Sequence, residues 1–356
     1  MFGRRPDGRR IDDIDPIIKI TSYVMPMRCD AQVFLKHSAD LDAMSRYIRK
    51  QKKEKNEQIS YMQIVVAAYV RAISRHPEVN RFVMNKQLFA RNNCSCAFTI
   101  LKNPANADDG EAVVKIKFDL TDTIYDVRDR MAAAVAANRG DQPAGFVEKL
   151  LGVLFAVPGL ATAVVGGVRV MDRYGIAPGI LMEELPFYVG MYITNMASIG
   201  LHDVNHHLYN WGDVGLFFGM GTPEKVTVME DGKPVVKRTL PIGITADERV
   251  CSGAHYGRFF ADMKRYLEHP ELLEEPPEER RPIQTFVCEY NEELVREAIV
   301  RELSRGGQVY YVHNVINNIE DVTASIRSLV PEARCEYAHG RMQEHELERI
   351  MYDFVA

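Results

Sequence analysis

A chain of 356 residues has room for one large domain and a small one, with enough length for a sizeable core. Its 46% hydrophobic and 26% charged residues are ordinary for a soluble globular protein and exclude a low-complexity or disordered class. A net charge of -5 argues against a broad nucleic-acid surface, which would need an excess of Lys and Arg.

The basic start, Met1 to Arg10, is followed by no apolar core, so no secretory leader is expected. The six cysteines, Cys29, Cys94, Cys96, Cys251, Cys288 and Cys335, include no CxxC pair. Reduced thiols in a cytoplasmic protein, with no metal knuckle, are the expectation.

In chain order, DPIIKITSYVM within residues 11–30 suits a short helix or strand at a domain edge. Gln32 to His37 alternates as a strand does. Asp40 to Lys55 reads as a helix capped by Ser38 or Asp40, with RKQKKEK as its solvated basic end. Ser60 to His76 reads as a buried helix, with Ser60 as cap and Pro77 as stop. Strands are expected over Phe98 to Leu101 and Ala112 to Phe118, and a helix over Thr123 to Asn138, started by Thr123 or Asp122.

From Leu150 to Val168 there are 19 residues without a charge, bracketed by Lys149 and Arg169. Pro158-Gly159 and Gly166-Gly167 interrupt the stretch. Two short buried helices are the plain reading; a membrane-touching hairpin over 150–168 is the alternative. Short strands are then expected at Phe187 to Asn195, Gly215 to Met220, Lys225 to Glu230, Lys237 to Leu240 and Pro241 to Ala246. The run Glu230-Asp231-Gly232-Lys233 marks a hairpin, and Gly257 to Glu268 a closing helix stopped by Pro270.

EEPPEERRP at 274–282 reads as a linker. Beyond it the rhythm changes to strand (Gln284 to Glu289), helix (Asn291 to Arg305), strand (Gln308 to His313), helix (Asn318 to Leu329), strand (Arg334 to His339) and helix (Glu344 to Phe354). That alternation implies a small parallel sheet with crossover helices, a truncated piece of an α/β fold.

Four segments in the first 275 residues carry a resemblance. They are YMQIVVAAYVRAISRHPEVNRF (Tyr61 to Phe82), YITNMASIG (Tyr192 to Gly200), NWGDVGLFFGMGTPEK (Asn210 to Lys225) and DERVCSGAHYGRFF (Asp247 to Phe260). In that order they resemble the catalytic domain of the dihydrolipoyl acyltransferases of 2-oxo acid dehydrogenase complexes. That family shares its fold with chloramphenicol acetyltransferase. The last segment stands where the family carries DHRxxDGxxxxRF. The apolar insertion at about 146–185 looks more like a stand-alone branch that lacks lipoyl and subunit-binding domains.

The resemblance implies a mixed-sheet α/β domain over 1–273, a homotrimer with active sites between subunits, and coenzyme A or a lipoyl thioester as substrate. No tightly bound cofactor and no metal are implied. In the family the signature His is a general base that deprotonates the attacking thiol or hydroxyl. Here that position is Glu248 and the family's Asp position is Ser252, while Asp247, Arg249 and Gly253 remain. Glu248 is therefore the candidate base and Asp247, Arg249, Ser252 and Gly253 the candidate loop organisers. Thr194 and Ser198, in the YITNMASIG segment, are the candidate oxyanion holders. His206, His207 and His255 are alternative bases. Cys251 reads as a buried small hydrophobe rather than a nucleophile. A catalytically inactive trimeric scaffold, or an acyl-CoA-binding protein, is the other reading.

Residues 274–356 carry a second resemblance, on EEPPEERRPIQTFV, REAIVRELSRGGQVYYVHN and LVPEARCEYAHGRMQEHELERIMYDF. These resemble the start of the second RecA-like lobe of the transcription-repair coupling factor, a DNA translocase. Neither GxxxxGK(S/T) nor an acidic DExx-type motif occurs, so neither ATPase activity nor nucleic-acid binding is expected. Leu273-Glu274-Glu275 suits both families, which suggests a join of two genes at that point.

Overall fold

The computed structural model describes residues 5–103, 110–139, 152, 154–230, 232–277, 289–304 and 307–355. The chain divides into two compact units, 1–282 and 283–356.

The first unit is a mixed sheet covered on one face by helices. After β1 (Gly8–Arg10) comes α1 (Pro16–Val24), capped by Asp15, whose carboxylate accepts from the Ile17 N–H. β2 (Gln32–Asp40) runs into α2 (Leu41–Glu54), where Asp40 is the cap that accepts from Ala43. In α3 (Tyr61–Arg75) Ser60 and Gln63 close a reciprocal capping box, and the helix is buried from Ile64 to Ser74. β3 (Arg81–Met84), β4 (Gln87–Arg91), β5 (Cys94–Leu101) and β6 (Glu111–Phe118) lead to α4 (Ile124–Ala137), boxed by Thr123 and Asp126.

Next come α5 (Leu160–Arg173), α6 (Gly179–Glu184), β7 (Met191–Asn195), β8 (Leu216–Met220), β9 (Glu224–Glu230), β10 (Lys233–Asp247) and α7 (Gly253–Glu268). Part of the insertion at 146–185 lies outside the described residues. No helix among the described residues is long and apolar enough to cross a membrane.

The main sheet runs β2-β10-β8-β7-β5-β6, with β9 on the free part of β10; β1, β4 and β3 form a separate small sheet. The β5–β7 and β7–β8 pairs are parallel and the others antiparallel, so the sheet is mixed. Strand alternation sorts the residues. Met191, Ile193, Leu216, Phe218, Ile242 and Ile244 join the core beneath the helices. Tyr192, Phe217 and Ala97 form a second cluster with Leu208 and Val214.

Where two strands are expected over 237–246, one continuous strand forms. Pro241 stands between the last β9 pair, Thr239–Glu224, and the first β8 pair, Ile242–Met220. Its missing N–H falls where β10 changes partner on that side, so the ladder loses nothing. Cys94 and Cys96 lie buried on the core side of β5, and burial pushes the Cys94 thiol up to about 12.

The first unit holds its own C-terminal end. Glu274 accepts from Gln51 Nε2 at 2.7 Å and from the Tyr125 hydroxyl at 2.9 Å, and pairs with Lys55. Arg71 donates to the carbonyls of Leu272 and Glu275.

The second unit comprises α8 (Glu292–Ser304), α9 (Ile319–Leu329) and α10 (Glu344–Val355), around a small core of Ile299, Ile326 and Val330. The strand expected at 284–289 lies almost wholly outside the described residues. Those expected at 308–313 and 334–339 do not form. A parallel strand needs cover on both faces, and Val312 is 89% exposed and Tyr310 68%.

Candidate functional site

β10 ends at Asp247, and a turn carries the chain into α7. Asp247 is fully buried, and its carboxylate is gripped from two directions. Arg249 donates Nε to Oδ1 at 2.8 Å and Nη2 to Oδ2 at 2.7 Å, and Arg28 donates Nε to Oδ2 at 3.3 Å. The planar guanidinium fork suits a carboxylate in a way an ammonium does not.

Arg28 also donates to the carbonyls of Tyr209 at 2.7 Å and Gly212 at 2.9 Å, tying the loop before β8 to the same point. Burial pushes the Arg28 guanidinium below its ordinary range, and the Asp247 charge opposes this. Arg249 reaches the Met25 carbonyl at 3.1 Å, and the Tyr256 hydroxyl donates to the Asp247 carbonyl at 2.8 Å. The turn is thus fixed from four sides.

Glu248 sits on this fixed turn with its side chain exposed. Its backbone N–H donates to the Ala31 carbonyl at 3.0 Å, which turns the side chain away from the core. Its carboxylate has no hydrogen-bond partner among the described residues. Cys251 is buried, and burial lifts its thiol to about 12, which leaves it protonated near neutrality. Ser252 is the residue before α7 and exposed; its hydroxyl lies 2.7 Å from His255 Nδ1. Gly253 opens the helix.

Thr194 and Ser198 lie at the other end of the sheet. Thr194 pairs with Gly219, Gly219 pairs with Gly243, and Asp247 is four residues further along β10. At about 3.3 Å per residue this is roughly 13 Å along the strands, with two strand spacings of about 4.8 Å across them as well. Thr194 Oγ1 lies 3.6 Å from Met196 Sδ, and Ser198 Oγ donates to the Asn195 carbonyl at 2.7 Å, closing a short turn. One copy therefore gathers Asp247, Glu248, Arg249, Ser252, Gly253 and His255 on one loop, and leaves Thr194 and Ser198 apart from them.

His206 and His207 belong to a strap that lies directly on the sheet. A Cβ on Gly219 would meet the Val204 carbonyl at 2.5 Å, and one on Gly243 would meet it at 2.4 Å. Only glycine lets the strap approach so closely. Further along, the His206 ring stacks on Phe217 at 4.0 Å, and its Nδ1 donates to the His207 carbonyl at 2.8 Å.

Sequence reasoning missed Arg28, Arg91 and Asp213. Asp213 is fully buried with Arg91 Nη1 at 2.6 Å from Oδ2, yet among the described residues its carboxylate oxygens have no well-formed hydrogen bond. Burial is the main cause that pushes its carboxyl up to about 6; Arg91 opposes it. In the sequence these are ordinary scattered charges with no spacing that marks them.

Residues 189–274 match the family described as 2-oxoacid dehydrogenases acyltransferase (catalytic domain). Among solved structures the chain is similar to a probable dihydrolipoamide acetyltransferase from Listeria monocytogenes. The likeness covers 73% of this chain and 94% of that one, with 14% identity and a TM-score of 0.46.

Of the curated proteins, the transcription-repair-coupling factor of Bacillus subtilis is 55% identical over 84 residues, 24% of this chain. That of Escherichia coli is 51% identical over 163 residues, 44% of this chain. These matches span 7% and 13% of the two relatives' own lengths.

Proposed function

We propose that the first unit is an acyltransferase that moves an acyl group from a coenzyme A or lipoyl-type thioester to a thiol, working as a trimer. The observation that carries this reading is the turn at 247–249. Asp247 is held by Arg249 and Arg28, and Glu248 is thereby presented at the surface, at the position where the sequence resemblance expects a base. A carboxylate there would take the thiol's proton as the thiol attacks the thioester carbon.

Thr194 and Ser198 would hold the developing oxyanion. Their distance from Glu248 within one copy is what a site shared between two copies requires, since a neighbour must bring one half. The test is release of thiol from acetyl-CoA with dihydrolipoamide as acceptor. An acceptor-dependent rate that drops at least ten-fold in Glu248→Gln supports the reading. A rate unchanged by that substitution removes Glu248 as base.

A second reading is favoured by the exposed, unpartnered Glu248 carboxylate: a trimeric scaffold that binds acyl-CoA without turning it over. Saturable acyl-CoA binding with no thiol release from the folded trimer would select it. For the second unit no motor activity is proposed.

A further inference from the structure

Ser252 and His255 meet at the end of the same turn. Ser252 occupies the residue before α7 in an extended conformation, φ −69° and ψ 157°, the geometry from which a serine ordinarily caps a helix. It does not do so: its side chain accepts no hydrogen bond from the helix's own N–H groups. The hydroxyl is committed instead to His255 Nδ1 at 2.7 Å. Ser252 is exposed and His255 half-buried. The imidazole nitrogen beside an accessible hydroxyl is the arrangement by which a histidine raises the nucleophilicity of a serine.

Two further features favour attack on a carbonyl. The N–H groups of Gly253 and Ala254 open a 16-residue helix and have no carbonyl partner within it, as at any helix start. They follow directly on Ser252 in the chain and are the donors this helix start offers to the oxygen of an acyl group under attack. A Cβ built on Gly253 or Gly257 would meet nothing within 4 Å, which leaves this side of the helix start open to a substrate. The supporting wall is rigid, because Cys251 and Tyr256 on either side are buried and the Tyr256 hydroxyl is tied to the Asp247 carbonyl.

We propose that Ser252 is a nucleophile activated by His255, able to accept an acyl group from an activated ester or thioester. Ser252 Oγ attacks the acyl carbon as its proton passes to His255 Nδ1. The new C–O bond forms, the C–S bond breaks, and the leaving thiolate takes the proton from the imidazole. The products are a seryl ester and a free thiol; water or a second thiol releases the acyl group. This step needs neither Glu248 nor a second copy, so it stands independently of the acyl-transfer reading.

The full chain is treated with a fluorophosphonate probe, which phosphonylates activated serines with loss of fluoride, and the modified peptide is located by mass spectrometry. The expected adduct is on Ser252, absent in Ser252→Ala and slowed at least ten-fold in His255→Gln, with melting temperatures compared throughout. In parallel, acetyl-CoA alone leaves an acetyl group on Ser252 in wild type and in Glu248→Gln. Wild-type labelling of Ser252 no faster than that of serines in the urea-unfolded chain overturns the proposal, and needs no variant to fold. Labelling unchanged in a folded His255→Gln overturns it as well, and leaves the contact as helix-start packing. Loss of lipoyl-dependent turnover in Glu248→Gln with the Ser252 adduct intact would separate the two activities.

Discussion

Arg249 holds Asp247 in a fork, Nε on Oδ1 at 2.8 Å and Nη2 on Oδ2 at 2.7 Å, and the carboxylate between them is fully buried. Removing one partner of a buried pair strands the other charge, which costs about 3–5 kcal/mol. Arg28 remains at 3.3 Å, so Arg249→Ala is expected near the lower end, about 3 kcal/mol in urea unfolding at neutral pH. Arg249→Lys should fall between, since an ammonium cannot span both oxygens. A loss in the alanine variant well under 1 kcal/mol would show that Arg28 alone organises the turn.

Glu248 and Thr194 belong to opposite ends of one sheet, so a shared site should be restorable by mixing. Glu248→Gln and Thr194→Val should each be nearly inactive in the acetyl-CoA assay as pure proteins. Refolded together at equal amounts, about a quarter of the contacts between copies regain both intact halves by random assembly in a cyclic trimer. Activity should return to that order. No recovery from a mixed trimer would count against a shared site.

Asp213 gives the stability a definite pH dependence. Its carboxyl is pushed up to about 6 by burial, so the folded chain binds this proton more tightly than the unfolded chain does. Its contribution is therefore fully present below about 4 and is lost as pH rises through about 6. A displacement of that size corresponds to an effect on the order of 3 kcal/mol. Measured as the difference in unfolding free energy between wild type and Asp213→Asn, wild type should lose ground between pH 4 and pH 6.5. A flat difference would place the proton elsewhere.

Gly243 lies beneath the Val204 carbonyl, where an added Cβ would stand 2.4 Å from the oxygen. Gly243→Ala must lift the strap that carries His206 from Phe217. An overpacking cost of about 1–3 kcal/mol is expected. The same change at Gly253, where nothing lies within 4 Å, should leave the melting temperature nearly unchanged. Equal effects at the two positions would contradict this account of the strap.

The first unit secures its own end through Glu274 and Arg71. A chain ending at residue 277 is expected to fold and to keep the melting transition of the first unit. A truncated chain that collects in the insoluble fraction would show that the rest is needed.

Much of the fold was legible in the sequence because its signals are short-range. Ser60 with Gln63, Thr123 with Asp126, and Asp40 with Ala43 are contacts three residues apart, and each marks its helix start before any packing is known. Strand β2 declares itself by alternation, and the turn at 247–253 by its likeness to a known signature. The site was legible only in part. The residues of that turn are neighbours in sequence, so Ser252 and His255 meet as part of one helix start.

What the tertiary structure alone decided was partnership over distance. Arg28 and Asp247 are 219 positions apart, and no local pattern links them. The separation of Thr194 from Glu248 follows from β7 running parallel to β8 while β10 runs antiparallel, an order that no single strand contains. The segment at 308–313 shows the converse. Its run Val309-Tyr310-Tyr311-Val312 has strand-forming residues, but a strand exists only with a neighbour to bond and a layer to bury it, and Val312 has solvent instead. The sequence therefore determined most helix starts of the first unit and the turn that carries Glu248. Burial and strand pairing, which depend on the whole chain at once, decided which of its charges are paired and which of its candidate residues meet.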